Sequence, residues 1–541
     1  MAGLNFADIF ETVVDTTPDA TALVVRSTSG DEVRLTFAEL DARANQLAHA
    51  LVGLGVGPGD FVGCHLYDGN QYIELTLAAF KVRAVPVNVN FRYVDEELDY
   101  LFDNADLKLV VTEPDLEDRA ERAAKGLRWS CPVVVADHRY EELLAAESAE
   151  RPVVADRGPG DLYGLWTGGT TGMPKGVMWR HEDIYLSVVG GGGNALLGIE
   201  PVTTLDDVAA RARGEYPLPG TITLCPLMHG GGWWIAFSAL LSGTYCVLIR
   251  DVGFDPGFAL RVMAQEEVRV VMTIGDAYAR PIVDHLEAYG SDEFDLSKLL
   301  VYGSGGAILS PSVKESLNAV LPHVLVMDAF GASETGGQGA LAGQSEDGAP
   351  IFAMDPTNVV IADDGTLCKP GDGRMGMLAT SGHIPIGYHK DESKTAATFP
   401  VVGGVRYAVP GDMAKLMADG TIAVYGRGSM SINSGGEKIF PEEVEKALKS
   451  HPAVFDAIVV GTPSERWGAQ VTAVVQLRRG LLDPVCAADL RDHCHSHLAG
   501  YKLPRDAVFV DAVRRSPSGK PDYRWAKDVA MAALDGSVTT G

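Results

Sequence analysis

The first hundred residues alternate two periodicities, and that alternation restricts the fold more than any other feature of the chain. Thr36 and Glu39 stand three apart, the spacing of a capping box, and Leu40, Ala44, Leu47 and Leu51 then recur at helical intervals. Gly57-Pro58-Gly59-Asp60 ends that segment, and the apolar run Phe61 to Leu66 reads as a buried strand. A helix over Tyr72 to Val82, a strand over Val85 to Val89, and a further helix and strand ending at Val111 follow. Strands that alternate with helices predict an α/β fold with layered, largely parallel sheets. No internal repeat is visible.

A chain of 541 residues exceeds one ordinary domain, so at least two packed units are expected. The boundary falls near Gly426-Arg427-Gly428-Ser429, giving a large unit over 1–427 and a smaller one over 428–541. Beyond it the pattern restarts with a helix at Pro441 to Leu448, strands at Ala457 to Val460 and Val471 to Val475, and a helix from about Cys486 to Leu498, a small α+β unit. Gly536 to Gly541 reads as a disordered tail. Four consecutive glycines, Gly190 to Gly193, precede a polar stretch, Thr203 to Glu215, that is open to a helical reading. The pair forms either a surface loop or a lid beside a pocket.

Charge narrows the partners. Forty-five basic and 72 acidic residues give a net charge of −27, a field that repels nucleic acid and anionic lipid. An anionic substrate must therefore find local N–H dipoles and a few lysines or arginines. No window approaches the roughly eighteen apolar residues of a membrane helix, and Met1 to Asp8 lacks the pattern of a secretory signal. A cytoplasmic enzyme is the simplest expectation. The seven cysteines are scattered without a CxxC pair, as in a reducing compartment. His493 and His497 would share a helix face, but no matching ligand pair lies nearby, so a surface helix is expected there.

One decapeptide carries phosphate chemistry. Thr167-Gly168-Gly169-Thr170-Thr171-Gly172-Met173-Pro174-Lys175-Gly176 follows the apolar strand Leu162 to Trp166. Glycines let backbone N–H groups face an anion, threonines add hydroxyl donors, and Lys175 supplies a charge. The Gly-Lys-Ser/Thr ending of a Walker A loop is absent.

This segment resembles the Thr/Ser/Gly-rich loop of the adenylate-forming superfamily, which includes acyl-CoA synthetases, peptide-synthetase adenylation domains and firefly luciferase. The resemblance runs nearly the whole length, with further motifs in order. It implies a large N-terminal domain of layered sheets and helices with a small β-barrel-like part, a mobile C-terminal domain, and a nucleotide site between them. Asp328-Ala329-Phe330-Gly331-Ala332-Ser333-Glu334-Thr335 is similar to the aromatic-Gly-x-x-Glu-Thr motif. By that likeness Glu334 holds Mg²⁺, Thr335 contacts phosphate, and Asp328, Phe330, Gly331 and Ser333 flank the nucleotide. Ser304-Gly305-Gly306-Ala307 resembles the turn beside adenine and the acyl group. Asp412, in Tyr407-Ala408-Val409-Pro410-Gly411-Asp412, and Arg427 would hold the ribose or phosphate. Pro226-Leu227-Met228-His229-Gly230 matches a segment whose imidazole borders the acyl site. Ser516-Pro517-Ser518-Gly519-Lys520 resembles the catalytic-lysine motif, with Lys520 reaching the carboxylate and α-phosphate. Asn433 and Gly436 belong to the face presented during thioester formation, Gly436 beside the pantetheine tunnel. At the family's hinge position, usually Asp or Lys, this chain has Ser429.

The resemblance therefore implies an enzyme that uses ATP, Mg²⁺ and coenzyme A to turn a carboxylic acid into an acyl-AMP and then a thioester. Trp233, Trp234, Phe237 and nearby glycines suggest a roomy apolar pocket. Asn88 to Tyr93, Met178 to Asp183, Gly275 to Arg280 and Pro521 to Trp525 look like actinobacterial synthetases acting on long-chain fatty acids or steroid side-chain carboxylates. Two alternatives stay open: loading of a carrier protein in trans, and a non-catalytic nucleotide-binding regulator. A homodimer is allowed by the sequence and not dictated by it.

Overall fold

The computed structural model describes residues 4–534 except 170–171, 194–198, 216–219, 291–292, 308, 347–348, 428–429, 431, 435–436, 465–467, 481–484, 499 and 516–518. Thr170, Thr171, Ser429, Gly436 and the tail Gly536 to Gly541 thus lie outside the described residues.

The expected capping box forms: the Thr36 hydroxyl accepts from Glu39 N–H at 3.2 Å, and the Glu39 carboxylate accepts from Thr36 N–H at 2.8 Å. It starts the helix Phe37–Gly53. The strands Phe61–His65, Val85–Asn88 and Leu107–Thr112 lie side by side in a seven-stranded sheet. Their pairings are parallel, as helical crossovers require, and continue in parallel to Leu162–Gly169 on one side and Val133–Val135 on the other.

A second sheet has thirteen strands. Its parallel block runs Leu325–Ala332, Val301–Gly305, Val270–Thr273, Thr221–Thr223, Cys246–Ile249, Thr21–Arg26. The helices Phe6–Thr16, Phe37–Gly53, Asn70–Lys81 and Gly230–Leu240 fill the space between the two sheets, sharing one core with both. Further helices cover the outer faces: Pro256–Gln265, Gly275–Tyr289 and Pro311–Val320 on the large sheet, Asp95–Asn104 and Glu117–Gly126 on the smaller. Five alternating layers result.

The barrel-like part expected from the resemblance is not a separate closed unit. Pro350–Met354 pairs with Gly336–Gln344 on one edge and Ile422–Arg427 on the other. The antiparallel strands through Asp412–Leu416, Met375–Thr380 and Asn358–Ala362 therefore extend the thirteen-stranded sheet, because each passes its free edge to the next without returning to the first.

After Ile422–Arg427 the chain enters a five-stranded sheet built on the long hairpin Val454–Ser464 and Gly468–Leu477, with the helices Pro441–Lys449, Ala487–His495 and Tyr523–Leu534. The His493 and His497 rings lie 4.9 Å apart, but no set of three or more metal-ligating side chains occurs among the described residues. All seven cysteines are free thiols, and Cys486 alone among them is exposed. No helix among the described residues is long and apolar enough to cross a membrane.

Candidate functional site

The phosphate-loop decapeptide is the tip of a hairpin. Leu162–Gly169 returns antiparallel as Gly172–Arg180, with Thr167 opposite Lys175 and Gly169 opposite Gly172. The return strand was not foreseen, because Met173 and Pro174 interrupt any strand pattern. Lys175 Nζ lies 3.0 Å from the Asp391 carboxylate, which also caps the helix Glu392–Thr398 by accepting from Lys394 N–H. Those two interactions, Lys394 N–H first, hold the Asp391 carboxyl below its ordinary range.

The Asp328–Thr335 motif meets this hairpin through a tertiary hydrogen bond. Trp179 on the return strand donates its indole N–H to the Ser333 carbonyl at 3.1 Å. Glu334 then accepts from the Tyr388 hydroxyl at 2.7 Å. Thr335 is buried; its hydroxyl accepts from Ala332 N–H at 3.0 Å and donates to Gln338 at 3.0 Å. Gly331 is required by close approach, since a Cβ there would stand 2.3 Å from the Gly336 carbonyl oxygen. In the parallel block Ser304 pairs with Asp328 and Gly305 with Ala329, so the Ser304–Ala307 turn and the Phe330 segment lie next to each other. Gly306 adopts φ +79°, the left-handed conformation in which glycine is favoured. Asp412 is buried and paired in register with Arg427. The side chains of Arg427 and Asn433 lie outside the described residues; the Asn433 backbone pairs with Lys438 in the small sheet.

His229 precedes the helix Gly230–Leu240. Burial, reinforced by the charges of Lys520 and Arg92, lowers its imidazole to about 3. It is neutral at physiological pH, and its Nε2 has no hydrogen-bond partner among the described residues. The charge of Lys520, on the C-terminal unit, thus acts on a group of the large unit. Gly519 joins the two units sterically, because a Cβ there would stand 2.5 Å from Ile274 Cγ2.

One polar residue joins the hairpin to the histidine segment. Asn88 Oδ1 accepts from Trp166 N–H at 2.7 Å, while its Nδ2 donates to the Trp166 and Met228 carbonyls at 2.7 Å each. Sequence reasoning had singled out Asn88 only as part of a lineage-like stretch. Tyr388 and Asp391 were missed altogether, since a single partner distant in sequence leaves no local pattern.

Beside Thr335 and Ala329 opens a cavity of about 550 Å³. Leu186, Val188, Ile235, Met272, Val301 and Met327 supply its apolar lining. The glycine run belongs to it: Gly190, Gly192 and Gly193 are part of the wall. The run is tightly packed, since a Cβ on Gly192 would stand 2.1 Å from the Leu186 carbonyl oxygen. The polar stretch after it forms the helix Leu205–Ala210 and a wider turn over Arg211–Glu215. The aromatic trio, however, does not line the cavity. Trp233 stacks between Tyr163 and Phe237 in the core, each at 4.2 Å, and the same helix turns Ile235, Ser238 and Ala239 to the cavity.

Asp328 has a carboxyl pushed up to about 7, chiefly by burial, with Lys314 opposing and Asp276 adding to the shift. Between its ordinary value of 3.8 and about 7, the folded chain holds a proton that the unfolded chain has released. That linkage makes stability fall as pH rises through this window. Asp328→Asn is expected to flatten the fall, measured as the melting temperature from pH 4 to 8; an unchanged slope would assign the fall elsewhere.

The model of the AMP-binding enzyme family matches residues 10–387, and that of the AMP-binding enzyme C-terminal domain matches residues 443–520. A 3-oxocholest-4-en-26-oate–CoA ligase of Rhodococcus rhodochrous is 44% identical over 547 residues, covering 97% of this chain and 96% of the relative. A medium/long-chain-fatty-acid–CoA/3-oxocholest-4-en-26-oate–CoA ligase of Mycobacterium tuberculosis is 44% identical, covering 99% and 98%. Among solved structures, the anthranilate CoA ligase AuaEII in complex with anthranoyl-AMP superposes with a TM-score of 0.82 at 22% identity, covering 99% of both chains. ATP-bound MatB from Rhodopseudomonas palustris gives 0.79 at 24% identity, covering 97% of this chain and 99% of that one. These two likenesses concern the fold.

Proposed function

The chain belongs to the AMP-binding enzyme family, and from that premise we propose that it is an ATP-dependent acid–thiol ligase. It adenylates a hydrophobic carboxylic acid, a long-chain fatty acid or a steroid side-chain acid, and transfers the acyl group to coenzyme A. The observation that carries the substrate class is the cavity of about 550 Å³ beside Thr335, within the range of small-ligand sites, where Leu186, Val188, Ile235, Met272, Val301 and Met327 form an apolar stretch of a wall that also holds polar side chains such as Ser238, Thr244 and Asn358. The relatives' own substrates support the same class. The unit boundary at 427/428 fits the two family matches, which end at 387 and resume at 443. Free thiols throughout suit a cytoplasmic setting.

In the first step the Thr167–Lys175 hairpin cradles phosphate with its backbone N–H groups, and Lys175 exchanges its Asp391 partner for phosphate oxygen. Glu334 fits a magnesium ion, which takes one or two carboxylates together with substrate phosphates and water. When bound, the cation neutralises charge on the phosphates. Glu334 is oriented for this by the Tyr388 hydroxyl. Asp412 accepts from the ribose hydroxyls. Lys520 stabilises the charge that develops as the carboxylate oxygen bonds to the α-phosphorus and pyrophosphate leaves. In the second step the thiolate sulfur of coenzyme A bonds to the acyl carbonyl carbon, the bond from that carbon to the AMP oxygen breaks, and AMP departs. His229, kept neutral, borders that carbon with shape and a hydrogen-bonding edge and adds no charge.

The test is incubation with ATP, Mg²⁺ and a panel of fatty, aromatic and steroid acids, with and without coenzyme A. AMP and a thioester formed only with the thiol are expected. Pyrophosphate exchange without thioester would select the carrier-loading enzyme, and neither activity would select the regulator. Gly303 lines the cavity, and a Cβ there would already stand 2.7 Å from Met272 Sδ. Gly303→Leu is therefore expected to cut kcat/KM for long or polycyclic acids about tenfold or more while sparing short ones. Equal losses across the panel would remove the cavity from the acyl path.

A further inference from the structure

Gly275-Asp276-Ala277-Tyr278-Ala279-Arg280 opens the helix Gly275–Tyr289, and the chemistry above uses none of its side chains. Asp276 and Arg280, one turn apart, are only 9% and 5% exposed. Burying charge is unfavourable unless it is compensated. Asp276 Oδ1 accepts from Ser310 N–H at 2.7 Å. Its Oδ2 lies 3.5 Å from Lys449 Nζ and 4.0 Å from Arg280 Nη2. Lys449 ends the helix Pro441–Lys449 and is itself 3% exposed. A residue of the large unit and one of the C-terminal unit thus share a buried charge cluster. Arg280 also sits over the Phe455 ring at 5.9 Å, and Arg478 faces Asp284 at 3.5 Å.

A continuous path leads from this cluster to Lys520. Asp456, adjacent to Phe455, accepts two hydrogen bonds from Arg515, at 2.6 and 2.7 Å. Arg515 donates to the Gly519 carbonyl at 2.9 Å, and Gly519 packs on Ile274, immediately before the helix that carries Asp276. We propose that Asp276 and Lys449 are positioning residues: their buried pair holds the C-terminal unit in the orientation that packs Gly519, next to Lys520, on Ile274, favouring acyl-AMP formation over thioester formation. The inference rests on the ligase reading above.

The spacing suits a contact made and broken in each cycle. Asp276 Oδ2 and the Arg280 Nε and Nη2 atoms have no hydrogen-bond partner among the described residues, and the charges face each other at 3.5–4.0 Å. A closely hydrogen-bonded buried pair is much harder to part.

Lys449→Met and Asp276→Asn, made in the full chain, test the proposal through the two half-reactions. Acid-dependent exchange of pyrophosphate into ATP is expected to fall about tenfold or more, while thioester formation from supplied acyl-AMP and coenzyme A stays within about twofold. The exchanged pair, Asp276→Lys with Lys449→Asp, is expected to recover part of the lost exchange. Equal loss of both half-reactions, or undiminished exchange, would overturn the proposal. Absence of both half-reactions in the unsubstituted protein would instead overturn the ligase reading.

Discussion

Lys520→Ala is expected to slow acid-dependent pyrophosphate exchange by about 10²–10³-fold, the loss typical of removing one preorganised group from developing charge. The chain carries a net charge of −27, so cationic groups that meet a triphosphate must be placed individually. In the mechanism proposed above Lys520 is one such group, and its charge contributes to the lowering of the His229 imidazole in this orientation of the C-terminal unit. Thioester formation from supplied acyl-AMP does not split a triphosphate, so the substitution should leave it within about twofold. Lys520→Arg should restore little, because a planar fork cannot replace a compact ammonium in a site shaped for it. Equal loss of both half-reactions in Lys520→Ala would show that the lysine maintains the site's architecture and does not act on the first step.

Asn88→Leu has the second large expected effect, and it acts through the fold. Val85–Asn88 meets Leu162–Gly169 at a single ladder pair, Val87 with Gly164. The Asn88 amide continues that junction with one hydrogen bond from Trp166 N–H and one to its carbonyl, then adds a third to the Met228 carbonyl. Thr167 and His229 each immediately follow a residue held by this clamp. Leucine matches the shape and leaves three buried polar groups unsatisfied, at about 1–3 kcal/mol each. A loss of about 3 kcal/mol or more is expected in urea unfolding of the large unit. Where the variant remains folded, displacement of the hairpin relative to His229 should lower kcat/KM by about 10²-fold. Asn88→Asp should be at least as damaging, since its carboxylate would face two carbonyl oxygens. A stability loss with undiminished turnover would show that Asn88 supports the sheet and leaves the site alone.

The legible parts of this molecule were those whose information is local. The alternation between Thr36 and Val111 predicted parallel layering because each helix and strand writes its own period. The Thr167–Gly176 decapeptide, the Phe330 segment and the Ser516–Lys520 turn stand out as candidates because several chemical requirements fall within five to ten contiguous residues. Asn88, Tyr388, Asp391 and the Asp276–Lys449 pair do not, because each works through a partner 54 or more positions away, beyond any local period. The pocket wall failed for a different reason. Gly230–Leu240 is apolar on every side, so its sequence does not say which face meets the core. Trp233 and Phe237 were read into the cavity, and packing placed them in the core while smaller neighbours took the wall. The barrel-like unit was carried by resemblance alone, and no sequence pattern determines whether a run of short antiparallel strands closes or continues a neighbouring sheet.

The distribution of thiols has a practical consequence. Burial pushes Cys64, Cys131, Cys225 and Cys494 up to about 12, so they are poor nucleophiles at neutral pH. Cys486 is exposed at the N-terminus of the helix Ala487–His495 of the C-terminal unit. A maleimide fluorophore should therefore label the unmodified chain at that one place, turning the smaller unit into its own optical reporter while each substrate is added in turn.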